Sequence, residues 1–172
     1  MCSYVRVIKR SKWPDEEKIK AGIDINNLQA RTIVQEMSMK GEESSLSIWK
    51  LNNEKDIALA LVSTNKRNLE KITILKIEEN LLTENGLNIS QENGCSVVEE
   101  LNTCHYDIIN MNYKNLGDFA KVIIKSLENE ENVKTISKKN LAIYINDAIN
   151  SNKIDIASLD EQLVNEIKKL IR

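Results

Sequence analysis

The sequence predicts an α+β fold: a small mixed sheet covered by helices, followed by a C-terminal helical hairpin. Three observations carry this. Tyr4–Ile8, Leu46–Leu51 and above all Glu70–Glu78 either alternate or run apolar, as strands do. Leu116, Phe119, Ala120, Ile123, Ile124 and Leu127 recur at three- and four-residue spacing and share one helical face. From Val133 onward the texture is that of helix alone. The expected division is an α+β body over residues 1–131 and a hairpin over 133–172, in one folding unit.

Taken in order, Tyr4-Val5-Arg6-Val7-Ile8 reads as a strand with Arg6 turned to solvent. Pro14-Asp15-Glu16-Glu17 reads as a helix start, since proline suits a first helical turn and carboxylates suit the positive end of the helix dipole. Gly22 ends that helix, and Asp24 is expected to cap another through Met37, with a strand at Arg31-Thr32-Ile33-Val34 as the alternative. Lys40–Ser44 is a loop. Leu46 and Ile48 alternate with Ser47 and Trp49, so both faces of that strand are expected to be covered. Asn53 precedes a helix whose buried face is Ile57, Ala58, Leu61 and Val62. Strand, helix, strand from 46 to 78 is the pattern of a crossover joining parallel strands. Leu81–Gly86 is expected to be a turn and Leu87–Ile89 an edge strand. Ser96 with Glu99 forms a capping box ahead of a short helix, and Cys104–Asp107 leads into the long helix. In the hairpin, Ser137 caps one helix, and Ser158-Leu159-Asp160-Glu161 is a capping box opening the last.

Composition narrows the function classes. At 172 residues the chain is one ordinary domain, and its 41% hydrophobic content supports a packed core without disulfides or metal. The net charge of -2 excludes a strongly basic nucleic-acid binder and an acidic tail as descriptions of the whole chain. Lysine far outnumbers arginine, and isoleucine and asparagine abound, the codon bias of an AT-rich bacterial or phage genome. Three widely spaced cysteines make no disulfide framework and point to the cytoplasm. No apolar run is long enough to span a membrane.

Motifs are few. Cys95, Cys104 and the only histidine, His105, do not have zinc-site spacing, so no metal and no cofactor is expected. His105 with Asp107 is a candidate polar site, a general base with its orienting carboxylate, although a histidine ahead of a helix is more often a cap or surface residue. Arg6, Arg10, Lys12 and Trp13 form a locally basic stretch that would suit a phosphate or a stacked base. Lys134, Lys138 and Lys139 around a helix start form a second one. With only five glycines the chain has no phosphate-cradling loop and no hydrolase nucleophile motif.

The expected function is therefore a non-enzymatic interaction protein, a small cytoplasmic subunit or regulator of a bacterial multiprotein system such as toxin control or phage defence. Leu163, Ile167 and Ile171 are the expected contacts to a protein partner or a second copy of the chain. A nucleic-acid-binding accessory and an enzyme using His105 and Asp107 are the alternatives.

Overall fold

The computed structural model describes residues 2–23, 28, 45–62 and 68–172. The helix expected from Asp24 to Met37 and the loop at Lys40–Ser44 lie outside the described residues. Six strands form one sheet: β1 (Ser3–Ile8), β2 (Leu46–Trp49), β3 (Ile72–Glu78), β4 (Asn88–Gln91), β5 (His105–Ile109) and β6 (Val133–Ile136). Their order across the sheet is β4-β5-β2-β1-β3-β6, and every neighbouring pair is antiparallel. The expected mixed pairing is thus replaced by an antiparallel one. β2 and β3 do run in the same direction, but β1 lies between them.

Alternation along each strand gives the sheet two buried faces. One carries Val5, Trp49, Ile74 and Ile136 and is covered by α2 (Glu54–Leu61), α5 (Lys138–Asn150) and α6 (Glu161–Ile171). The other carries Tyr4, Ile8, Leu46, Ile48, Leu75, Ile77 and Ile108. It is covered by α1 (Glu16–Lys20), α3 (Glu79–Glu84) and α4 (Tyr113–Leu127). The C-terminal hairpin is consequently part of the body. β6 pairs with β3 through Ile72↔Ile136, and Leu141, Ala148, Leu163 and Ile167 enter the first core.

The helix ends follow their sequence signals with small shifts. Asp15, Asn53, Asn112 and Ser137 each accept a hydrogen bond from a backbone N–H of the first turn. The last helix is capped by Asp160, which accepts from Gln162 N, rather than by Ser158. The latter instead closes a short 3-10 turn over Ile156–Ser158. Residues expected to form a turn after β3 make α3, whose Leu82 is fully buried. The segment after Ser96 is a 3-10 helix, Glu99–Cys104, and His105 begins a strand where a lead into helix was expected.

Helix α4 is the principal cover of the second face. Phe119, Ala120 and Val122 are fully buried, while Lys121 and Lys125 lie on the solvent side, paired with Asp118 and Glu128. Replacing Phe119, the chain's only phenylalanine, by alanine should cost about 3–5 kcal/mol through the cavity it leaves. Lys121→Ala should cost under about 0.5 kcal/mol, because an exposed ion pair contributes little. Urea denaturation of the two variants checks this, and equal midpoints would place the wrong face inward.

Candidate functional site

Strand register brings the polar chemistry together on one half of the first face. Trp49 lies opposite His105, Ser47 opposite Asp107, and Asp107 in turn opposite Ser90. The even positions of β5, Tyr106 and Ile108, point to the other core. A two-residue spacing that would separate side chains on a helix therefore aligns them here. His105 Nε2 lies 3.6 Å from Asp107 Oδ1, and the Ser45 hydroxyl donates a 3.0 Å hydrogen bond to Asp107 Oδ2. The imidazole stands edge-on to Trp49, with ring centroids 4.8 Å apart. His105 is 8% exposed. Both its Nδ1 and Asp107 Oδ1 are shielded from solvent and, among the described residues, have no hydrogen-bond partner. Such groups are costly unless something satisfies them.

The loop after β4 walls this arrangement. Glu92 N donates to His105 O, and Gly94 N to Asn102 O. The Asn102 side chain then clamps both sides of Ser96, accepting from its N–H at 2.6 Å and donating to its carbonyl at 3.2 Å. Ser96 Oγ donates to Leu59 O and ties the loop to α2. The loop can lie this close only because residue 94 is glycine. A Cβ there would sit 2.5 Å from Trp49 Cη2, 2.9 Å from Asn102 Oδ1 and 3.0 Å from His105 Cβ.

Between this loop, the sheet and the end of α2 lies a cleft of about 620 Å³. Its lining includes Ser47, Trp49, His105 and Asp107 from the sheet, Ala60, Leu61 and Val62 from the end of α2, and Cys95 from the loop. Arg6 and Val7 form the remaining side, and the sheet is weakest there. β1 pairs with β3 along its whole length but meets β2 at a single bridge pair, Val5↔Trp49. Beyond that bridge the strands part, and Arg6 Nη1 reaches across to donate to Ser47 O at 2.5 Å. Its guanidinium carbon lies 5.9 Å from the centre of the Phe119 ring, in the opposite core.

The other expected site residues do not converge. Arg10 is held by the carbonyls of Trp13 and Pro14, Lys12 lies exposed in a 3-10 turn, and Trp13 is buried in the second core. A buried indole has no face to offer a base, so the stacking role is corrected. Lys134 pairs with Glu54, whose carboxyl its ammonium holds below the usual range with help from the Tyr144 hydroxyl. Lys138 lies 3.9 Å from Glu166, and Lys139 is exposed. Two of the three lysines thus face different carboxylates rather than forming a stripe with Lys139.

The expected partner contacts are likewise corrected. Leu163 and Ile167 are 0% and 2% exposed in the chain's own core, and Ile171 is half-buried against it. The stripe that was expected to meet a partner covers the sheet. Among the described residues no three His, Cys, Asp or Glu side chains are grouped to hold a metal ion, and all three cysteines are free thiols. Ser45, Ser47, Trp49, Gly94 and Asn102 were not singled out as site residues in the sequence. Their only signal is a serine and a tryptophan alternating with Leu46 and Ile48.

No known family model matches the chain, and no curated protein or solved structure is significantly similar to it.

Two substitutions test how the cleft is built. Gly94→Ala should destabilise by about 1–3 kcal/mol through overpacking against Trp49 and His105. Arg6→Met keeps the aliphatic stem but strips Ser47 O of its donor, and should cost about 1–3 kcal/mol. Denaturation midpoints equal to wild type in both would show that neither contact supports the cleft.

Proposed function

We propose that the chain is a non-enzymatic interaction protein, a small subunit or regulator, which receives its ligand or partner in the cleft over β2 and β5. The observation that supports this reading is the half-polar sheet face itself. A sheet covered by helices normally buries apolar residues on that side. Here a serine, an aspartate and a histidine occupy such positions beneath a cleft of about 620 Å³, within the roughly 300–1,000 Å³ usual for ligand pockets. Burial has already removed water from His105 Nδ1 and Asp107 Oδ1, so a partner that reaches them gains hydrogen bonds without first stripping hydration.

Binding is favoured over catalysis by the direction of the hydrogen bonds. The Ser45 hydroxyl donates to Asp107, and among the described residues no hydroxyl or thiol is hydrogen-bonded to His105. A nucleophile activated by the imidazole would need that contact. Nucleic-acid binding is disfavoured because Lys134 and Lys138 face carboxylates. Free thiols are compatible with a reducing compartment, and the lysine- and asparagine-rich composition suits a bacterial multiprotein system.

The test is affinity purification from the native cells with wild type, a cleft-filling Ser47→Trp variant and the Lys134→Ala/Lys138→Ala/Lys139→Ala triple variant. The expected result is a partner retained by wild type and by the triple variant in moderate salt, and lost from a folded Ser47→Trp variant. Loss only from the triple variant, with steep salt dependence, would replace this reading with nucleic-acid binding.

A further inference from the structure

The charges around the cleft specify what it receives, an inference that rests on the binding reading above. We propose that the cleft takes a positively charged, multi-donor group: a primary ammonium or a guanidinium. Two independent features converge on this. The first is Asp107. One of its oxygens accepts from Ser45 at 3.0 Å, and the other is buried and without a donor among the described residues. A carboxylate with one oxygen shielded from water and without a donor is complementary to a cation that carries several N–H groups.

The second is helix α2. Its N-terminus, capped by Asn53, lies away from the cleft, while its last residues, Ala60 and Leu61, line it together with Val62. The carbonyl end of a helix bears the negative partial charge of its dipole and attracts cations. Among the described residues, the last turn of α2 carries no basic side chain. The aspartate and the helix end therefore act on the same space with the same sign.

Arg6 is the opposing charge in the lining, and its placement decides the balance. Its Nη1 is bonded to Ser47 O and its guanidinium lies by Phe119 in the core beyond the sheet. Asp107 instead takes its hydrogen bond from Ser45. His105 Nε2, 3.6 Å from Asp107 Oδ1, is too far to supply that oxygen with a hydrogen bond. Ala60, Leu61 and Val62 give the methylenes behind the charged head an apolar wall.

The only histidine in the chain makes the test direct, because the Hε1 proton of His105 is the one line of its kind in the NMR spectrum. The intact protein is titrated with methylguanidinium, with ethylammonium, with the neutral isostere methylurea, and with acetate and inorganic phosphate, all at matched ionic strength. The expected result is a saturable shift of the His105 line with the two cations. Binding should be about tenfold or more weaker for methylurea, and weakened to the same degree for cations in Asp107→Asn. The indole line of Trp13, in the opposite core, should stay fixed. A capped Gly-Arg-Gly peptide separates the two sources of such a group: tighter binding than methylguanidinium assigns a protein side chain, and equal binding a free small cation. If methylurea binds as well as the cations, or phosphate or acetate binds better, the cation assignment fails while the cleft stands as a binding site. If no probe moves the His105 line saturably, the assignment and the binding reading fall together.

Discussion

Among the described residues a single backbone bridge joins the two halves of this sheet. β4, β5 and β2 form one antiparallel set and β1, β3 and β6 another, and Val5↔Trp49 is the one pair between them. Next to it, the hydrogen bond that Ser47 O would exchange with β1 backbone in a full ladder is supplied by the Arg6 side chain. The cleft follows from that seam. Closing the ladder would bring Val7 beside Ser47 and leave the space over Asp107 without its floor. Stability across the seam then rests on the helices that span it, since few hydrogen bonds do.

The two faces of the sheet meet this demand differently. The second is dry, with Phe119, Leu75, Ile77, Ile48 and Ile108 all fully buried. The first is apolar toward β3 and β6, where α5 and α6 pack on Ile74 and Ile136, and mixes Trp49 with polar groups over β2 and β5. Polar contacts hold its helices in place. Glu54 accepts from Tyr144 at 2.7 Å and pairs with Lys134, Lys55 reaches Asp147 at 3.1 Å, and Glu166 accepts from Leu69 N. Helix α2 is thereby pinned by its first turn to α5 and β6 and by Leu59 O to the Ser96 loop, so that its C-terminal end keeps a fixed position over the sheet.

Much of this framework was legible in the residues. The β3 strand, the α4 stripe and the caps at Asn53 and Ser137 are local patterns, and local patterns survive into the fold. β6 was not legible because four residues flanked by helix show too little alternation to read. α3 was hidden for the same reason. His105 and Asp107 could be picked out by chemistry, but placing them ahead of a helix put them on different faces, whereas a period of two puts them on one. Leu163 and Ile167 show the limit of amphipathicity as a guide. A stripe states that a face is buried, and only the three-dimensional arrangement states what buries it. The seam depends on register between strands some forty residues apart, which no window of sequence contains.

The central place of β1 has a consequence for how the chain is made. β1 is the earliest strand in the sequence and sits between β2 and β3, pairing with β3 from Ser3↔Glu78 to Ile8↔Thr73. On a ribosome it therefore waits for its main partner on the order of 10 s, at usual rates of synthesis. During that interval Tyr4, Val5 and Ile8, all buried in the finished fold, lack the β3 residues they pack beside. Contacts this distant in sequence also slow refolding, because the loop must close before the pairing contributes. The β3 strand of a second nascent chain would present the same ladder to a waiting β1. Exchange of this strand between copies is accordingly the misfolding route to which the topology is most open.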